Sequence, residues 1–193
     1  SFLKKKGVFK ILQKYNLSFE RLSDENNFPL LEKSVPNLCA DRIDYSLREF
    51  EYWLSPKIVK LCLDGLVNYN GEFVFNNQKI AFLFASNFLE LQTRHWGGYE
   101  STIRYYLFSS ALKKALEKKI IVKRDFYKDD EFITKKIENT KDDEILKTLF
   151  ILSKKKLENI KKESKEKVYK KFRYVDPKIL INSNLVRLSE INL

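Results

Sequence analysis

Apolar and polar positions alternate along most of this chain with a helical period. Val8, Ile11, Leu12 and Tyr15 keep the i, i+3, i+4, i+7 spacing and predict an amphipathic helix over 8–15. Ser18 reads as the N-cap of a short helix over 18–23, which Asn26-Asn27-Phe28-Pro29 ends. Pro36-Asn37 opens a longer helix over 38–53, and Ser55-Pro56 places a cap and a first-turn proline on another reaching 64–65. The period then shortens. Leu66 to Tyr69 and Glu72 to Phe75 flank Asn70-Gly71, a pair suited to the positive φ angles of a two-residue hairpin turn. Asn76-Asn77 caps a helix running to about residue 92, Gly97-Gly98 interrupts, and helices follow over 99–118, 129–138 and 142–155. Short strands are expected over 168–174 and 185–188, around Asp176-Pro177 and Asn182-Ser183-Asn184. The expected fold is mainly α, a helical body with a small β-hairpin and a short-stranded C-terminal lobe. A boundary near 120 would leave 1–120 as the body and 121–193 as a Lys-rich accessory region.

Composition narrows the class. With 193 residues, 44% of them apolar and 33% charged, the chain can bury a core and is not pervasively disordered. Its richest apolar run, 80–85, falls far short of the roughly 20 residues a membrane span needs. The opening Ser-Phe-Leu-Lys-Lys-Lys-Gly lacks the apolar region of a signal peptide, so a cytoplasmic protein without a membrane partner is expected. Cys39 and Cys62 both lie in apolar helical settings and are expected to be buried free thiols. No CxxC or Cys/His cluster argues for structural zinc. The net charge is +11, and 154–171 carries nine Lys against three Glu. Such a run is a solvated helix face or an attractor for phosphate, from nucleotides or from a nucleic-acid backbone. The sequence has no methionine, and the expectation is a portion of a longer chain.

The chemistry concentrates in 39–50. On a helix turning about 100° per residue, Asp41, Tyr45, Arg48, Glu49 and Tyr52 share one side, with Asp44 at its edge. Ile43, Leu47, Phe50 and Leu54 form the opposite, apolar stripe. Spacing alone reads the polar side as a solvated face with an Asp44–Arg48 pair.

Ala40-Asp41-Arg42-Ile43-Asp44-Tyr45-Ser46-Leu47-Arg48-Glu49 resembles the last motif of the HD-domain metal-dependent phosphohydrolases, including the deoxynucleoside triphosphate triphosphohydrolase branch. The match departs only at Glu49, where Asp is usual. Gln92 to Glu100 and Tyr169 to Pro177 resemble further segments of that superfamily. The resemblance implies that Asp41 is a ligand of a divalent metal, Mg²⁺, Mn²⁺ or another transition metal. Such a cation polarises a phosphoryl oxygen and supplies hydroxide. Tyr45 matches a residue that contacts substrate phosphate, and Arg48 and Glu49 match positions that brace the site or meet the nucleotide sugar. Tyr45 and Arg48 are thus the catalytic candidates. Glu49, His95, Arg104, Lys171 and Arg173 are the substrate-binding ones. The implied substrates are nucleotides, in particular (deoxy)nucleoside polyphosphates.

The family's other ligands, a His and an adjacent His-Asp pair, lie upstream of this motif. The one histidine here, His95, lies downstream, where it also reads as a helix-end residue that satisfies terminal carbonyls. The expectation is therefore a portion of a phosphohydrolase, inactive alone, completed by an amino-terminal H…HD part. The alternative is a non-catalytic HD-like module that regulates or binds nucleic acid. A homo-oligomer is compatible with either.

Overall fold

The computed structural model describes residues 2–154, 157 and 172–191. The fold is mainly helical with one small sheet, as the periodicity indicates. The chain divides into two compact units, 1–91 with 173–193, and 92–172.

The first unit holds six α-helices among the described residues: α1 (Phe2–Lys5), α2 (Val8–Lys14), α3 (Phe19–Ser23), α4 (Ala40–Trp53), α5 (Pro56–Gly65) and α6 (Gln78–Leu91). Their starts follow from side-chain caps. Ser18 accepts from the Arg21 N–H, Ser55 from the Ile58 N–H, and Asn77 Oδ1 from the Ile80 N–H, each satisfying a first-turn donor. The sheet runs in the order β1 (Leu66–Tyr69), β2 (Glu72–Phe75), β3 (Lys178–Ile181), β4 (Asn184–Arg187). Asn70 and Gly71, at φ 51° and 74°, turn β1 into β2, and Asn182 and Ser183, at 47° and 65°, turn β3 into β4. Between the hairpins β2 and β3 pair in parallel, Phe75 opposite Ile179. Val74 and Phe75 are consecutive yet both fully buried, so both faces of β2 are covered at its end. The core gathers Phe50, Phe75, Phe84 and Phe88, with Phe84 packed at ring-centroid distances of 5.3 Å from Phe50 and 5.5 Å from Phe75.

The second unit begins with a π-helical turn at Gln92–Trp96, continues into α7 (Tyr99–Glu117), and adds α8 (Asp130–Glu138) and α9 (Asp143–Leu152). Gly97 and Gly98 close the turn. A Cβ on Gly98 would stand 2.2 Å from the Arg94 carbonyl oxygen, and one on Gly97 would stand 2.6 Å from that of Gln92. Asp129 and Asp142 cap α8 and α9. Ala115, Ile121, Ile137 and Ile145 form the buried core, and Lys118–Asp142 and Lys114–Glu144 pair at its edge.

Three sequence expectations change. The division falls after residues 91 and 172 instead of near 120, because β3 adds to β2 and returns the C-terminal hairpin to the first unit. The strand expected over 168–174 lies outside the described residues up to 171, and Phe172 to Tyr174 is not strand. Extended pairing starts instead at Lys178, after Pro177, which has no N–H to give a ladder. Leu54, placed on the core stripe, is 38% exposed; it stands just past the end of α4 at φ −116°, ψ −90°, where the helical period no longer applies.

Candidate functional site

The first turn of α4 lies against the preceding loop. The Ala40 and Asp41 N–H groups donate to the carbonyls of Leu30 and Leu31, at 2.7 and 3.3 Å. Two of the donors a helix start leaves unpaired are satisfied in this way, without a side-chain cap from Cys39. Asp41 is exposed in that first turn, where the helix dipole favours a carboxylate. It lines one side of a cleft of about 880 Å³ whose other walls include Glu25, Phe28, Leu31, Glu32 and Lys33.

Arg42, the next residue of α4, is only 7% exposed. A buried guanidinium requires acceptors, and the loop supplies them to its two terminal nitrogens, while the buried Nε has no hydrogen-bond partner among the described residues. Arg42 donates to the carbonyls of Asn37 and, at 3.1 Å, Lys33, and to Glu32 Oε1 at 3.3 Å. Ser46 is buried one turn on and donates to the Arg42 carbonyl at 2.5 Å. Arg42 and Ser46 therefore join Ile43, Leu47 and Phe50 on the buried side of α4, a role that spacing did not assign to them.

Tyr45 is half-buried, its ring centroid 6.3 Å from that of Phe88. Burial pushes its phenol pKa up. The positive charges of Arg42 and Arg173 oppose that rise, and the Asp41 carboxylate adds to it. The phenol is thus a neutral hydrogen-bond donor at physiological pH. Arg173, far off in sequence, is brought into the electrostatic neighbourhood of Tyr45 and is itself exposed.

Arg48 pairs with Asp44 at 2.6 Å on the exposed side of α4, the i, i+4 pair that spacing indicates. Glu49 accepts from the Trp53 indole N–H at 2.8 Å. His95 lies in the π-helical turn, and its carbonyl accepts from the Gly98 N–H and from the Ser101 hydroxyl. Arg104, on α7, grips Glu100 and donates at 2.8 Å to the carbonyls of Leu152 and Lys154, so it closes the C-terminal end of α9. His95 and Arg104 belong to the second unit, and Asp41, Tyr45, Arg48, Glu49 and Arg173 to the first. Lys171 lies outside the described residues. Both cysteines are buried free thiols, and burial pushes the Cys62 thiol up to about 11.

Among the described residues, no three His, Cys, Asp or Glu side chains gather into a set that could hold a metal ion. Asp41 has carboxylates across the cleft in Glu25 and Glu32, but Arg42 engages Glu32. This donor set does not by itself fit a catalytic divalent cation. Among the same residues, no helix is long and apolar enough to cross a membrane.

The class defined so far is a mainly α protein with a small mixed sheet and a cleft at the start of its motif helix. No family model matches the chain. It is 28% identical over 188 residues to the uncharacterized protein YdhJ of Bacillus subtilis (strain 168), an alignment covering 94% of this chain and 57% of the relative. The chain thus spans little more than half the length of that curated relative. No solved structure matches.

Proposed function

We propose that this chain is part of an HD-type metal-dependent phosphohydrolase acting on nucleotides, with Asp41 as one ligand of the metal. The observation that carries the reading is that the Asp41 of the Ala40–Glu49 motif lies in the wall of a cleft. Tyr45, one turn along α4, stands near Arg42 and Arg173. A neutral phenol and an exposed guanidinium suit phosphate oxygens, the first as a donor and the second as charge and donor together. The remaining metal ligands, a His and a His-Asp pair, are assigned to sequence beyond residues 1–193. The family resemblance supports that assignment. The substrate class is (deoxy)nucleoside polyphosphates.

The test is turnover by the protein as its gene encodes it, with Mn²⁺ and with Mg²⁺, against a panel of nucleoside mono-, di- and triphosphates. Metal-dependent release of phosphate or polyphosphate is expected. No turnover on any member of the panel contradicts the reading.

The net charge of +11 favours a second reading, a non-catalytic HD-like module that attracts nucleic acid. Binding of single-stranded oligonucleotides that weakens steeply with salt, without hydrolysis, would select it.

A further inference from the structure

The cleft beside Asp41 is held from the far end of the chain. Its loop wall, which includes Glu32 and Lys33, is pinned by Arg42 through the Lys33 carbonyl and Glu32 Oε1, and Arg42 also holds the carbonyl of Asn37. Asn37 is in turn held from β4: Arg187 donates to Asn37 Oδ1 at 2.6 Å, across 150 residues of sequence. The other arm of Arg187 donates at 2.6 Å to the Asp176 carbonyl. The Asp176 N–H donates to the Pro36 carbonyl at 3.0 Å, and the Asp176 carboxylate accepts from the backbone and hydroxyl of Ser189 at 3.0 and 2.7 Å. One guanidinium thus spans Asp176 and Asn37. Asn37 accepts from both arginines, Arg187 at its side chain and Arg42 at its backbone.

We infer that Arg187 is a positioning residue for the Asp41–Tyr45 site, acting through Asn37 and Arg42. The inference rests on the reading of that cleft as the site. Arg187 does not line the cleft. Its effect is to fix Asn37, which with the cleft residues Lys33 and Glu32 fixes the Arg42 guanidinium near the Tyr45 phenol. A planar fork reaching two acceptors at once suits Arg and not Lys. Small displacements of groups that orient a substrate are costly in rate, on the order of 100-fold for about 1 Å.

Two readouts test this in the protein as its gene encodes it. The first is hydrogen exchange of the Arg42 guanidinium by nitrogen-15 NMR, with the signal assigned by Arg42→Lys. Arg187→Met is expected to accelerate that exchange. Asn37→Ala breaks the same link from the other side, and is expected to do likewise even if Arg187→Met fails to fold. The double variant is expected to add little beyond either single change. Lys178→Met disturbs the same hairpin through its contact with Glu72 and is expected to leave Arg42 exchange as it is in the parent. The second readout is nucleotide turnover with Mn²⁺. Arg187→Met is expected to lower kcat by about 10-fold or more while KM moves little, and Arg187→Lys to restore only part of the loss. Unchanged Arg42 exchange in both Arg187→Met and Asn37→Ala overturns the link. Faster exchange with unchanged kcat overturns the positioning role. A parent protein without turnover contradicts the phosphohydrolase reading instead, and the exchange measurement still decides whether the link exists.

Discussion

Lys178 Nζ lies 2.7 Å from Glu72 Oε2, across 106 residues of sequence, and fastens the C-terminal hairpin alongside β2. The hydrogen bond from Lys178 holds the Glu72 carboxyl below its usual range. A carboxyl whose folded pKa is lowered adds stability above its unfolded pKa, and that contribution disappears as the pH falls through the folded value. Glu72→Gln is therefore expected to lower the thermal midpoint at neutral pH, with a gap that closes below about pH 4. Both side chains are partly exposed, so the effect is about 1 kcal/mol or less. Thermal unfolding followed by circular dichroism between neutral pH and acid measures it. A gap that stays constant into acid contradicts the assignment.

Arg42 is the buried fastener between α4 and the loop before it. Arg42→Leu removes a charge but leaves the carbonyls of Lys33 and Asn37 without their donor. Both residues are half-buried, and a hydrogen bond to a charged group contributes about 1.5–3 kcal/mol, so a loss of about 2 kcal/mol is expected in urea unfolding. Arg42→Lys should fall between the two, since one ammonium does not reproduce the fork. Stability equal to the parent's in Arg42→Leu would contradict the bracing role.

Gly98→Ala tests the π-helical turn. Its Cβ would meet backbone, the Arg94 carbonyl oxygen, and backbone does not yield as a side-chain tip would. A destabilisation of about 1–3 kcal/mol is expected, read from the urea midpoint. A variant as stable as the parent shows that the turn reshapes at little cost.

Local chemistry made much of this fold legible in advance. Ser18, Ser55, Asn77, Asp129 and Asp142 each bond a first-turn N–H, the pattern that short oxygen-bearing side chains signal before a helix. Asn70-Gly71 turns a hairpin because its two residues accept positive φ. The C-terminal strands were harder. Lys178 to Ile181 is a four-residue run with Ile179 as its one fully buried side chain, and its partner β2 lies about a hundred residues earlier. Parallel pairing over that distance leaves no trace in local spacing.

The candidate site was legible in part. The helix over the motif forms, and its polar and apolar sides fall much as the period places them. Arg42 was not legible, because a charged residue at that position reads as solvated until the carbonyls of Lys33 and Asn37 are seen to meet it. Arg104 reads in the sequence as a substrate contact, and the carbonyls to which it donates sit on Leu152 and Lys154, beyond the reach of any motif around position 104. The nearness of Arg173 to Tyr45 likewise comes from the return of the C-terminal segment to the first unit.

The most direct test of the central claim is the Mn²⁺ affinity of the protein as its gene encodes it, measured by isothermal titration calorimetry for the parent and for Asp41→Asn. The expected result is a site in the parent that weakens by at least about 100-fold in the variant, since even partners that only support a metal ligand cost 10–100-fold. Equal affinity in the two proteins would remove Asp41 from the metal site and contradict the account.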